Sequence, residues 1–259
     1  LSGSHTLLRY GTNRAQVADL WLPKSTSPAP VVILVHGGFW RAHYTRRLMH
    51  PLAWDLWRHG FAVYNIEYRR FGLLGGGGGW STSISDVEAA LCSLNELAGV
   101  DMERIVICGH SVGAQLMLCA LSRQHRRHST QPTLRPRLAV SLAGIFDLVM
   151  VADANLGRGA ARRFCGGLPQ TVSEHYRESS PLALLPIGIE QLVVHGLADS
   201  VISPASSITY AQAARTRGDH VSLELLPGQG HVSMINPKGD AWHLVISRLT
   251  DTLDSTSAP

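Results

Sequence analysis

The segment Ile105-Val106-Ile107-Cys108-Gly109-His110-Ser111-Val112-Gly113 runs from an apolar stretch into Gly-x-Ser-x-Gly, with a helical pattern behind it. A serine on so sharp a strand-to-helix turn projects its hydroxyl above the strand ends, and the flanking glycines give the crowded turn room. That placement suits a nucleophile. The N–H of Val112 then lies at a helix N-terminus, where a developing oxyanion is stabilised. The bland alternative is a tight turn closed by a capping serine. A second segment, His36-Gly37-Gly38-Phe39-Trp40, directly follows the apolar run 31–35. Its glycines let backbone N–H groups face a carbonyl oxygen, so Gly38 and Phe39 are expected to complete an oxyanion hole with Val112. Its bland alternative is a plain glycine turn. His36 reads as a structural histidine bonded within the loop. Trp40 either walls a pocket or packs, and Trp80 is the other aromatic candidate for substrate contact.

A hydroxyl is a poor nucleophile at neutral pH, so it needs a base and an acid that orients the base. Of the 13 histidines, His231 lies in Gly228-Gln229-Gly230-His231, just after the last apolar run, in a loop able to reach Ser111. His220 and His243 look structural. The acid is sought between nucleophile and base in sequence. Asp199, in His195-Gly196-Leu197-Ala198-Asp199-Ser200, follows a strand pattern, and Asp147 is its rival. Asp199 is preferred because the last two loops are neighbours in this topology. Asp86 reads as a first-turn helix residue.

These residues need a scaffold that brings distant loops to one rim. Residues 7–10 and 17–22 alternate like an antiparallel pair. The compact runs 31–35, 62–66, 105–108, 138–142 and 191–195 read as buried parallel strands, and 221–226 as a further strand. Helical patterns fall at 48–58, 83–97, 112–122, 206–217 and 241–251. The rhythm predicts an α/β fold, a mostly parallel sheet with helices on both faces. Residues 146–186 are too long for a simple crossover, and contain helix-like pieces near 159–164 and 172–176. They are expected to form a small lid within a single domain, 1–259.

Bulk properties narrow the function classes. A chain of 259 residues with 45% hydrophobic and 16% charged residues can build a substantial core, which excludes a disordered protein. The apolar runs are far too short to span a bilayer. The net charge of +4 comes with one compact basic cluster, His125 to His128, read as a solvated loop rather than a nucleic-acid surface. The four cysteines lack metal-site spacing; Cys92, Cys108 and Cys119 sit in apolar segments and read as core, and a cytoplasmic location is the default. The chain starts at Leu1, which leaves a removed leader open. Residues 72–79 satisfy GxGxxG without opening a helix after a strand, so neither a cofactor nor a metal is expected. Tyr68-Arg69-Arg70 could grip a substrate carboxylate, though a structural ion pair is the more ordinary role. The tail 255–259 reads as a frayed end.

Taken together, His36 to Trp40, Gly109 to Gly113, Asp199 and His231 resemble the α/β-hydrolase superfamily, in the same Ser, acid, His order. The His-Gly-Gly-aromatic-Trp loop and Gly109-His110-Ser111-Val112-Gly113-Ala114-Gln115-Leu116 are similar to its esterase and kynurenine-formamidase branch, as are Gly144-Ile145-Phe146-Asp147-Leu148 and Ser180-Pro181. The resemblance spans residues 31 to 231. It implies a cofactor-free serine hydrolase of the α/β-hydrolase fold acting on small acyl or aryl esters, or on formamides as an arylformamidase. Gln115, Phe39 and the glycine run beside Trp80 depart from the formamidase pattern. A peptidase and a catalytically silent binding protein complete the alternatives. The expected partner is a small-molecule ester or amide, with neither nucleic acid nor membrane, and a homodimer is compatible with the sequence.

Overall fold

From Val31 to Val35 every residue is fully buried, which requires a strand covered on both faces. The computed structural model, which describes residues 3–126 and 134–254, places that run inside an eight-stranded sheet. The strands are β1 (Gly3–Arg9), β2 (Val17–Pro23), β3 (Ala29–Val35), β4 (Ala62–Ile66), β5 (Val100–His110), β6 (Leu138–Leu142), β7 (Gln191–Gly196) and β8 (Val221–Leu226). Their order is β1-β2-β4-β3-β5-β6-β7-β8. β1 and β2 pair antiparallel, as do β2 and β4; every other pairing is parallel.

The helices are α1 (His50–Arg58), α2 (Trp80–Ser93), α3 (Val112–Arg126), α4 (Leu148–Asp153), α5 (Ala160–Cys165), α6 (Ser173–Arg177), α7 (Pro204–Thr216) and α8 (Asp240–Asp254). Strand alternation sorts them into two layers. Val31, Ile33 and Val35 join the buried cluster formed with α2, α3 and α7. Val32 and Leu34 point the other way, into the cluster formed with α1 and α8. The sheet is thus the doubly covered one that the sequence rhythm predicts, with an antiparallel margin.

Some local expectations need correction. α2 begins at Trp80, ahead of the expected 83, because the N–H of Gly79 is capped by the Thr82 hydroxyl at 2.9 Å. Asp86 therefore lies well inside the helix, where it is buried against the Arg69 guanidinium. Cys92, expected in the core, is exposed on the outer side of the same helix, whereas Cys108, Cys119 and Cys165 are buried. Residues 146–186 hold α4, α5 and α6, and Leu148, Val151, Ala160, Phe164 and Tyr176 all join the α2/α3 cluster. The pieces expected near 159–164 and 172–176 correspond to α5 and α6, whereas α4 has no counterpart among the sequence expectations. In the basic cluster, Arg126 donates to the Leu184 carbonyl at 2.6 Å; residues 127 and 128, and the tail 255–259, lie outside the described residues.

Candidate active site

In an open parallel sheet the carboxyl ends of the strands form the binding edge. β3 leads into the His36 to Trp40 loop, β5 leads into Ser111, β7 leads to Asp199 and β8 leads to His231. The backbone at Ser111 is left-handed, with φ of 55°. Its N–H donates to the Leu142 carbonyl at 2.9 Å, and its own carbonyl accepts from Ala114 at 3.1 Å. The glycines around it are required by contact. A Cβ at Gly113 would lie 2.1 Å from the Val35 carbonyl oxygen, and one at Gly109 would lie 2.6 Å from the Ala114 nitrogen. The serine turn is thus clamped between α3 and the end of β3.

The oxyanion loop is a tight turn with Gly38 at φ of 113° and Phe39 at φ of 50°. It touches the nucleophile directly, since a Cβ at Gly37 would sit 3.1 Å from the Ser111 Cβ. Among the described residues, no backbone or side-chain group accepts from the N–H groups of Gly38, Phe39 or Val112. Unclaimed donors beside a nucleophile are what a developing oxyanion needs.

A buried polar cluster holds this loop from below. His36 Nε2 donates to Glu67 Oε1 at 2.7 Å, and the His36 ring stacks on Tyr68, whose hydroxyl donates to the His36 carbonyl at 2.9 Å. His36 is therefore structural, as expected. Burial pushes the Glu67 carboxyl up, but His36, Arg70 and the Arg46 N–H outweigh it and hold the group below the usual carboxylate range. Arg70 pairs with Glu67 at 3.2 Å and Arg69 with Asp86, so neither faces a substrate. Trp40 is fully buried; it stacks on Phe164 and donates from Nε1 to Gln115 at 3.0 Å, which is the packing alternative of the two. Trp80 stacks on His175 at 4.5 Å and lies under Arg123.

The two remaining residues meet. His231 Nδ1 donates to Asp199 Oδ2 at 2.7 Å, leaving Nε2 as the proton acceptor. The loops that carry them are sewn together: Leu197 N–H donates to Leu226 at 2.8 Å and Ala198 N–H to Gln229 at 2.9 Å. The Asp199 side chain is fully enclosed. Its Oδ1 accepts from Val201 at 2.8 Å and Ile202 at 2.9 Å. Burial raises its carboxyl, but the N–H of Ile202, the His231 ring and the N–H of Val201 prevail and hold it below the ordinary value. The rival Asp147 caps α4 instead, accepting from Val149 and Met150. His220 and His243 are both exposed on the surface.

Sequence reasoning missed two histidines here. His195 donates from Nε2 to Asp199 Oδ2 at 3.0 Å and accepts from the Ser207 hydroxyl at 2.6 Å, so the acid has a second imidazole behind it. His110, the residue just before Ser111, donates from Nε2 to the His231 carbonyl at 3.1 Å, with ring centroids 4.8 Å apart. It ties the serine turn to the base loop. The only sequence signal was its place inside Gly-x-Ser-x-Gly.

Burial, reinforced by His231, pulls the His110 pKa from 6.5 down to about 3. Below pH 6.5 the unfolded chain takes up a proton that the folded chain refuses, so stability falls as the solution is acidified. One such site gives up to about 1.4 kcal/mol per pH unit. His195 is lowered too, mainly by burial, and acts in the same direction. The thermal midpoint is therefore expected to drop between pH 7 and pH 5, and to drop less in His110→Gln. Equal drops in the two proteins would exclude His110 as the source.

The family model BD-FAE matches residues 18–213. The chain belongs to the BD-FAE family of α/β-hydrolases. Kynurenine formamidase of Salmo salar is 26% identical over 253 residues, covering 93% of this chain and 80% of that protein. A probable isoprenylcysteine alpha-carbonyl methylesterase of Oryza sativa subsp. japonica is 26% identical over 251 residues, covering 87% of this chain but only 57% of the relative. This BD-FAE chain thus spans little more than half the length of that methylesterase. In structure it is similar to a truncated form of a carbohydrate esterase from gut microbiota, with a TM-score of 0.84 at 18% identity over 98% of this chain and 97% of that one. That likeness is one of fold. Family and relatives together make the BD-FAE chain a hydrolase of the esterase class. Among the described residues, no group of three or more His, Cys, Asp or Glu could hold a metal ion, and no helix is long and apolar enough to cross a membrane.

Proposed function

We propose that the chain hydrolyses carboxylic esters of small acyl or aryl acids through a Ser111, His231, Asp199 triad. The observation that carries this reading is the 2.7 Å contact from His231 to an enclosed Asp199 beside a serine turn tied to the same loop through His110. His231 takes the proton of Ser111 as the hydroxyl attacks the acyl carbonyl, and Asp199 orients the ring and stabilises its imidazolium form. The N–H groups of Gly38, Phe39 and Val112 hold the oxyanion. The alcohol leaves with the proton carried by His231, and water activated by the same ring cleaves the acyl-enzyme. The segment 146–186 covers the site as a small lid: Arg41, next to the oxyanion loop, donates to the Gly157 carbonyl. A small-molecule substrate and no cofactor follow from this chemistry.

Arylformamidase activity is the second reading, favoured by the match that covers 80% of a kynurenine formamidase. Hydrolysis of short nitrophenyl esters measured beside N-formylkynurenine separates the two. Ester turnover without formamide turnover is expected; the reverse pattern would replace the first reading by the second. An oligopeptide panel is expected to show no cleavage.

A further inference from the structure

A cleft of about 420 Å³ opens beside the oxyanion loop. Three arginines line it, Arg41, Arg158 and Arg163, and no Asp or Glu does. Elsewhere Arg126, Arg162 and Arg215 also lack a carboxylate and bond single backbone carbonyls, whereas other arginines are ion-paired. Arg46, Arg69, Arg70, Arg104, Arg123 and Arg177 each pair with a carboxylate. In the cleft, the Arg41 guanidinium donates only to the Gly157 carbonyl, Arg163 lies 4.7 Å above the Phe71 ring, and the Arg158 side chain has no partner among the described residues. Uncompensated guanidinium groups gathered in one concavity form an anion site in waiting, because each offers a planar fork of donors to a carboxylate. The flank is apolar: Leu73 is 95% and Leu74 is 67% exposed on the same cleft.

The cleft is built onto the catalytic loop. Arg41 N–H closes the oxyanion turn on the Gly38 carbonyl at 3.0 Å, and Phe71 N–H donates to the Trp40 carbonyl at 2.9 Å. On the other wall, Gly157 is pressed on the Phe39 ring, where a Cβ would come within 2.6 Å. Arg41 lies four residues beyond Gly37, which contacts Ser111. The turn closed by the bond from the Arg41 N–H to the Gly38 carbonyl holds the Cα atoms of those two residues within about 7 Å. An ester whose carbonyl oxygen sits on the Gly38 N–H can therefore extend its far end toward the arginines.

We propose that the Arg41, Arg158, Arg163 cleft binds the carboxylate of an amphiphilic ester substrate, so that the chain selects esters bearing a negative charge remote from the scissile bond. This rests on the ester-hydrolase reading above, and names the substrate class for the same site. The carboxylate takes charge-assisted hydrogen bonds from the guanidinium groups while its apolar stem lies along Leu73 and Leu74. Arg69 and Arg70, the pair that the sequence offered for this task, are committed to Asp86 and Glu67.

Two measurements test it. The first compares 4-nitrophenyl hydrogen glutarate with neutral 4-nitrophenyl valerate, in the wild type and in Arg158→Gln/Arg163→Gln. The charged-to-neutral ratio of kcat/KM is expected to fall about tenfold or more in the double variant, and to fall with added salt in the wild type. An unchanged ratio overturns the proposal. The second needs no hydrolysis. Monoethyl glutarate is titrated calorimetrically into Ser111→Ala, with and without the two arginine substitutions. Binding about tenfold weaker without the arginines supports the cleft; equal binding, or none in either protein, removes it. If the wild type cleaved no ester at all, the functional reading would fail, and this titration would still decide the cleft.

Discussion

Ser111→Ala is expected to lose about 10⁶-fold in kcat on a short nitrophenyl ester, and His231→Ala a similar amount, because nucleophile and base act as one unit. A residual acceleration of about 10³-fold over water should survive in both, from the oxyanion donors and substrate binding alone. Both variants should fold. The backbone bonds that fix the turn, Ser111 N–H to Leu142 and Ala114 N–H to Ser111, do not involve the hydroxyl. The bond from His110 to residue 231 ends on a main-chain carbonyl and persists in His231→Ala. A fluorophosphonate should label the wild type and leave Ser111→Ala unlabelled. Retention of more than a hundredth of wild-type kcat by Ser111→Ala would remove the serine mechanism. Failure of the wild type to label would support the silent binding protein instead.

Asp199→Asn should cost about 10⁴-fold in kcat at neutral pH with little change in shape. The oxygen of the amide can still accept from Val201 and Ile202, as Oδ1 does now. Its NH₂ would replace the oxygen that faces both His231 and His195. Toward His231 it would donate to Nδ1 and move the ring proton to Nε2, the nitrogen that must accept from Ser111. Toward His195 it would set donor against donor, a mismatch of about 1–3 kcal/mol in a buried site. The variant is thus expected to melt below the wild type and to react slowly with fluorophosphonate. Activity within tenfold of wild type would show that the acid is supplied elsewhere, and Asp147→Asn would be the next variant to measure.

Much of the scaffold was legible along the chain because it rests on local rules. Compact apolar runs containing β-branched residues mark the buried strands, and β4, β6 and β8 coincide with the runs 62–66, 138–142 and 221–226. The serine turn was legible for the same reason, since its glycines answer steric demands within a few residues. α4 escaped because its six residues are too few to show a helical period, and its start depends on the Asp147 cap. Trp40 shows the limit at the site. A tryptophan after a glycine loop fits a pocket wall as well as a core, and only its partners Phe164 and Gln115 decide.

From its residues alone, the chain specifies a doubly covered α/β sheet, a strand-to-helix serine turn and a glycine loop with backbone donors, all consequences of side-chain period and backbone sterics. The tertiary structure decided which charged groups meet. Asp199 reaches His231 across 32 positions because β7 and β8 lie side by side. Arg41 joins Arg158 and Arg163 because the 146–186 segment folds back onto the oxyanion loop. Electrostatic partners are chosen by distance in space, and distance in space follows strand order and loop paths that no short stretch of residues encodes.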